Sequence, residues 1–294
     1  MMLEPRAVER LASRLPRGSV AISATNGKTT TATLTAAILR QAGVLPVHNR
    51  TGANLSGGVA TALLIAARGR SGIDGEIGVF EIDEGWLRGL VAQLDADVVL
   101  MGALFRDQRD RLSMELDRIA AAWTEICERR AERTQFVLNA DDPILARLGH
   151  DLPDPLYFGI ADPRCGRPVR DAAADARHCA NCGGALRFTA YFIGHLSHYE
   201  CPACGWRRPE PQIFADRIVL DGPGGTRMRL SVPGDSRETR LRLAGVHGVY
   251  NALGPPPWRT RSASDSAISP PRWRRRDRGG GAASGSRSPT GASP

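Results

Sequence analysis

The sequence holds a single lysine among its 39 basic residues, and that lysine is Lys28. Long apolar runs are missing as well. No stretch of eighteen or more apolar residues occurs, and residues 1–19 mix charge with short apolar pieces where a signal peptide would show a charged end and an apolar block. Neither a membrane span nor a signal peptide is therefore expected, and the cytosol is the default compartment. Cysteine is scarce, six in 294 residues, too few for a disulfide scaffold, and four of the six fall in two tight CxxC pairs that suit a reducing compartment and a metal. Positive charge is in clear excess in only one place. Residues 254–294 carry eight arginines against Asp265 and Asp277, which accounts for +6 of the net +8, so the rest of the chain is nearly balanced. A nucleic-acid binder spreads its arginines over a folded face; an excess confined to a Pro/Gly/Ser-rich stretch argues against that class.

What is present reads as alternating strands and helices. A compact apolar run at 18–23 ends in a polar turn, and from residue 29 to 41 the apolar positions recur at helical spacing until Gly43. The alternation continues with a helix at 54–68, a buried strand at 77–82, a short helix at 84–94, a strand at 98–101, a long helix at 113–130 and a strand at 136–138. Such an order predicts an α/β fold with a parallel sheet covered on both faces, preceded by a lead-in at 1–17. Past His150 the texture changes to short β-like runs at 212–220, 227–232 and 239–243, which suggest an antiparallel insertion or subdomain. The stretch 254–294 has the composition of a disordered tail.

Two motifs carry chemistry. Ala24-Thr25-Asn26-Gly27-Lys28-Thr29-Thr30 lies between a strand and a helix. The backbone N–H groups of such a loop and the positive end of the helix point at phosphate oxygens, the lysine reaches the outer phosphates, and the first threonine hydroxyl binds Mg²⁺. The spacing GxxxxGK[ST] is not met, since position 22 is Ile, but a compact ammonium has been kept in a chain that otherwise uses arginine. The second motif is Cys179-x2-Cys182 and, eighteen residues on, Cys201-x2-Cys204, each pair followed by glycine. Two such knuckles complete a closed tetrahedral Zn²⁺ site, structural in kind, in a zinc-ribbon-like insertion at 165–210; a redox dithiol is the rival. With four sulfurs sufficient, His178, His195 and His198 are expected to face solvent. Cys127 and Cys165 have no visible partner, and core packing or simple exposure is their default.

Taken together, ATNGKTTT, RTGANLSGG (50–58), VFEIDEG (79–85), LFRDQRDR (104–111), LNADDP (138–143) and GVHGVYNAL (245–253) resemble, in that order, the central ATP-binding domain of the Mur ligases, across nearly all of residues 15–253. The MurT-type synthetase subunits are the branch they resemble more closely. That resemblance implies a central domain over 18–253 that binds ATP and Mg²⁺ through Thr25, Asn26, Gly27, Lys28, Thr29 and Thr30, with Asn251 near the base. Glu81, at a strand's carboxyl end, would hold Mg²⁺ with Thr29; a surface glutamate is the alternative. Asp83 and Glu84 read as cap and solvent residues. Asp107 and Gln108 would belong to the reacting centre, with Gln108 where most Mur ligases have histidine; a solvated charged loop is the rival. Asn139 to Pro143 are explained equally by a helix cap.

Some family features are missing. The carbamylated lysine that many Mur ligases use for a second Mg²⁺ has no candidate, because the only lysine is in the phosphate loop. Gly248 stands where an asparagine is expected. After residue 253 the family continues into an alanine-rich helix and a further domain, whereas this chain runs into the arginine-rich tail. Shifting the codons of 254–259 by two bases can spell Ala-Ala-Ala-Leu-Ala, so a frame change near codon 254 is expected, and with it a chain that is inactive alone. The implied activity is ATP-dependent amidation of the α-carboxylate of D-glutamate in lipid II, with ammonia from a GatD-type glutamine amidotransferase partner, at the inner face of the membrane. The rivals are a Mur or folylpolyglutamate-type ligase that adds an amino acid, and a non-catalytic zinc-ribbon scaffold.

Overall fold

The structure is a computed structural model and describes residues 6–49, 53–105, 114–167 and 176–255, with two-residue strands at 259–260 and 268–269. Asp107, Gln108 and most of the 254–294 stretch lie outside the described residues.

The first half alternates as expected. After α1 (Ala7–Ala12) come β1 (Ser19–Ser23), α2 (Lys28–Gln41), β2 (Pro46–His48) and α3 (Ser56–Ala66). The two-residue strands β3 (Ala67–Arg68) and β4 (Gly72–Ile73) form a small ribbon ahead of β5 (Ile77–Glu81), α4 (Leu87–Leu94), β6 (Val98–Met101), α5 (Met114–Arg130) and β7 (Gln135–Asn139). The chain goes on through α6 (Pro143–His150), β8 (Leu156–Ile160), the hairpin β9 (Arg187–Ile193) and β10 (Leu196–Glu200), then β11 (Ile213–Leu220), β12 (Thr226–Val232), β13 (Asp235–Leu241) and α7 (Gly245–Leu253).

Nine strands form one sheet in the order β13-β12-β11-β8-β7-β6-β1-β5-β2. From β2 to β11 neighbours are parallel; β11, β12 and β13 are antiparallel. Of the antiparallel insertion or subdomain expected after His150, the runs at 212–220, 227–232 and 239–243 belong to the main sheet, and the inserted antiparallel element is the β9–β10 hairpin. β8, β11, β12 and β13 extend the same sheet, whereas β9 and β10 form a separate hairpin inserted between β8 and β11. Among its described residues, the crossover between these parallel neighbours carries that hairpin and no α-helix.

Alternation along the strands builds the two cores. Ala21, Phe80, Val99, Met101, Phe136 and Leu138 face one side, where they meet Leu63, Leu87, Leu90, Trp123 and Leu145 from helices α3 to α6. Val20, Ile22, Val79, Leu100 and Val137 face the other, against Ala32 and Leu39 of α2, Val249 and Leu253 of α7, and Phe192 and Leu196 of the hairpin. Central strands buried on both faces explain why β1, β5 and β7 read as near-continuous apolar runs. The chain winds outward from β1 in both directions, first to β2 and β5 and then to β6, β7 and β8. The switch in strand order therefore falls at β1, and the carboxyl ends around it are where a ligand crevice is expected.

Candidate functional site

Four polar segments meet at those carboxyl ends. Gly27, with φ at +84°, is the N-cap of α2 and turns the chain from β1 into the helix. No side chain caps this helix, and its first turn carries no acidic residue, so the helix entrance keeps its positive character. Lys28 folds back over its own loop, donating from Nζ to the Ala24 carbonyl at 3.0 Å and to Glu84 Oε2 at 3.3 Å. Glu84 is thereby corrected from a solvent residue to the counter-ion of Lys28, with only 12% of its side chain exposed. The reason is the turn ahead of α4, which Trp123 of α5 pins from below through an indole N–H donated to the Glu84 carbonyl at 3.2 Å.

Thr29 donates its hydroxyl to Glu81 Oε1 at 2.9 Å. Glu81 ends β5 and is 2% exposed, so two hard oxygen ligands of the kind Mg²⁺ takes sit side by side next to the loop. Asn49 holds this strand end and was missed from sequence. Its carboxamide accepts from the Glu81 N–H at 2.9 Å and donates to the Glu81 carbonyl at 2.7 Å and to the Ala53 carbonyl at 2.8 Å. No local pattern marks it, since β2 is three residues long and ends in His48.

Thr25 ties the loop to a neighbouring segment. Its N–H goes to the Ala103 carbonyl at 2.9 Å and its hydroxyl accepts from the Phe105 N–H at 3.0 Å, tying the phosphate-type loop to the segment after β6. Asn26 is exposed and Thr30 half-buried; both line a cavity of about 280 Å³ that runs from the loop to Phe105, Asn139, Phe158, Tyr250 and Asn251. Asn251 lies directly against Gly27, where an added Cβ would come within 2.0 Å of its Oδ1. The structure thus brings together Lys28, Thr29, Glu81 and Asn251.

The 139–142 turn is more than a cap. Asp142 does cap α6, accepting from the Ile144 N–H at 2.9 Å, and it also accepts from the Leu104 N–H at 3.0 Å. Its partner is His195 Nε2 at 3.2 Å, with both side chains fully buried. The expectation of solvent-facing histidines holds for His178 but not for His195, which the β9–β10 turn presses against Phe105 with the rings 4.8 Å apart. His198 is half-buried, its Nε2 2.7 Å from the Ile160 carbonyl oxygen, and burial holds its pKa below the usual imidazole range, with Arg208 adding to the effect.

The four cysteines converge. Their Sγ atoms all lie within 4.8 Å of one another, with Cys179 and Cys204 at 3.7 Å and Cys182 and Cys201 at 3.5 Å. Tetrahedral Zn–S bonds of about 2.3 Å put sulfurs about 3.8 Å apart, so the set fits Zn²⁺. Each knuckle closes in the same way, with Gly183 and Gly205 at φ +74° and their N–H groups bonded to the carbonyls of Cys179 and Cys201. The clustered thiols share charge unequally: the Trp206 N–H and the Asn181 carboxamide lower the Cys204 thiol, while hydrogen bonding to Cys204 and Cys201 helps to raise Cys182 and burial raises Cys179. Cys127 is buried in the core, and burial raises its thiol to about 12, the state of an inert packing residue.

The Mur ligase middle domain model matches residues 22–174. The chain is 30% identical over 234 residues to the MurT subunit of lipid II isoglutaminyl synthase (glutamine-hydrolyzing) from Staphylococcus aureus, covering 80% of this chain and 50% of that protein. It is 28% identical over 237 residues to the corresponding subunit from Streptococcus pneumoniae, with the same coverage. Among solved structures, a pseudomurein peptide ligase type C from Methanothermus fervidus superposes with a TM-score of 0.64 at 27% identity, over 82% of this chain and 45% of that one. The chain spans about half the length of the curated MurT relatives it matches.

Proposed function

The chain belongs to the Mur ligase family by that family's middle domain, and from this premise we propose that it is the ATP-binding part of a synthetase subunit that amidates the α-carboxylate of D-glutamate in lipid II. The observation that carries the reading is the placement of Lys28 and Thr29 at the entrance of α2 with Glu81 at the end of the neighbouring strand. In this reading Lys28 leaves Glu84 to meet the outer phosphates, and Thr29 and Glu81 hold Mg²⁺. When bound, that cation supplies charge neutralisation for the transferring phosphoryl group. The cavity wall formed by Phe105, Phe158 and Tyr250 takes the base, and Asn251 orders the loop from the opposite side. Asp107 and Gln108, outside the described residues, remain proposed members of the reacting centre.

Amidation, with ammonia from a GatD-type glutamine amidotransferase, draws its support from the similarity to MurT subunits over 80% of the chain. Work at the inner face of the membrane is proposed together with the lipid-linked substrate; among the described residues, no helix is long and apolar enough to cross a membrane. Zn²⁺ at the four cysteines is proposed as structural, since four thiolates leave no open position. A second reading, a ligase that adds an amino acid, is favoured by the likeness to the pseudomurein peptide ligase.

Calorimetric titration of the chain with MgADP is the first test. Binding is expected in the wild type and is abolished by Lys28→Ala; unchanged affinity in that variant would remove the enzyme reading. ATP turnover on lipid II with a GatD-type subunit and glutamine, compared with turnover on free amino acids, then separates the two readings.

A further inference from the structure

We infer that Arg208 is a positioning residue that links the four-cysteine knuckles to the nucleotide cavity through Asp141 and Tyr250, so that metal at one site and nucleotide at the other strengthen each other. This rests on the proposed nucleotide reading for the identity of the ligand.

Asp141 is fully buried and its carboxylate gathers donors from three parts of the chain. It accepts from Arg208 Nε at 2.5 Å, from the Tyr250 hydroxyl at 2.7 Å and from the Ile160 N–H at 2.8 Å. A carboxylate held out of water needs a countercharge, and Arg208, itself 11% exposed, supplies it while donating from Nη2 to the Ile160 carbonyl at 3.1 Å. Nothing in the motif vocabulary pairs residues 141 and 208.

The position of Arg208 is set by the second knuckle. The Cys201 N–H bonds the Trp206 carbonyl at 2.6 Å, and the Arg208 N–H bonds the Tyr199 carbonyl at 3.1 Å. Trp206 packs on Tyr199 with the rings 5.3 Å apart. Tyr199 donates its hydroxyl to the Ala140 carbonyl at 3.1 Å, and the Ser197 N–H goes to the Asp141 carbonyl at 2.9 Å. The hairpin is therefore bonded directly to the turn that holds Asp141.

On the other side, Tyr250 lines the cavity and the next residue of α7, Asn251, rests on Gly27. A knuckle fixed by metal holds Arg208 over Asp141, Asp141 holds the Tyr250 hydroxyl, and α7 keeps Asn251 against the loop. A knuckle without metal releases Arg208, leaves a buried carboxylate short of its cation and frees α7. Coupling of this kind is reciprocal, so nucleotide that orders α7 must also retain metal.

The experiment follows zinc transfer from the zinc-loaded chain to a chromogenic chelator, with and without saturating MgADP. In the wild type MgADP slows transfer by about fivefold or more, the lower end of typical allosteric coupling. Tyr250→Phe, which removes only the hydroxyl, and Arg208→Met are each measured at their own saturating MgADP and lose most of that protection while retaining zinc and secondary structure. Arg208→Lys recovers part of it, which a merely structural loss would not do. Should Arg208→Met fail to fold, Tyr250→Phe decides. Equal transfer with and without bound MgADP in the wild type, or full protection in Tyr250→Phe, overturns the inference while leaving the nucleotide reading intact. Absence of MgADP binding to the wild type defeats the nucleotide reading first, and the inference with it.

Discussion

Replacing Gly27 by alanine tests the phosphate-type loop with the least chemistry. Two costs can be worked from the geometry. At φ +84° a Cβ is unfavourable by about 1–2 kcal/mol, because the left-handed region crowds it against the backbone. The same Cβ would also come within 2.0 Å of Asn251 Oδ1, an overpacking worth about 1–3 kcal/mol if α7 has to yield. If only 2 kcal/mol of this appears in the loop's ability to present its N–H groups, MgADP affinity falls about thirtyfold. Calorimetry on Gly27→Ala, Asn251→Ala and the double variant separates the two parts. Trimming Asn251 removes the overlap but leaves the dihedral strain, so the double variant should bind better than the sum of the single losses allows. Strictly additive losses would show that Asn251 does not press on the loop. Unaltered affinity in Gly27→Ala would show that the loop does not carry phosphate.

Two further outcomes follow from the zinc hairpin. Elemental analysis of the chain should find one zinc, and Cys201→Ser, a substitution at a buried sulfur, should lose it; a loss of about 3 kcal/mol would lower the melting temperature by about 10 °C in a domain of this size. Full zinc retention in that variant would exclude the four-sulfur site. For His198, burial favours the neutral ring and so depresses the folded-state pKa. The unfolded chain then binds the extra proton first, so this contribution to stability is complete above about pH 6.5 and is lost as pH falls through the lower folded value. Chemical denaturation between pH 7 and pH 5 should show that loss in the wild type and a flatter profile in His198→Gln, while identical slopes would mean that the imidazole is not held neutral.

The parts of the fold legible in the sequence are those where one local pattern decides the outcome. β1, the turn and α2 could be placed because an apolar run, a glycine turn and a helical period follow one another within about two dozen residues, and β5, β6 and β7 because each is a compact apolar run flanked by amphipathic helices. β8 was not legible. It follows a Pro- and Asp-rich turn, and the crossover to its parallel neighbour β11 is made by the cysteine hairpin, so the change of texture looked like the end of the sheet. β2, three residues starting with proline, is too short to leave a period.

The candidate site divides in the same way. Lys28 and Thr29 could be read from their own neighbours, and Glu81 from its position at a strand end, because the parallel part of the sheet brings its strands' carboxyl ends to one edge. The partners that adjust them could not: Glu84 to Lys28 spans 56 residues, Arg208 to Asp141 67, and Tyr250 to Asp141 109. Each is a charged or polar group whose role depends on what lies opposite it across the layers, and the contexts of Glu84, Asp141 and Arg208, turns and an arginine-rich stretch, suit solvated residues equally well. His195 makes the point most directly, since four clustered sulfurs give a histidine ligand no necessary place. The error lay in taking solvent as the only other place for it, when the hairpin turn carries it into the packing between Phe105 and Asp142. A polar residue without a ligand role is thus better regarded as a candidate for joining layers, and in this chain such residues run from the cysteine knuckles to the loop that holds Lys28.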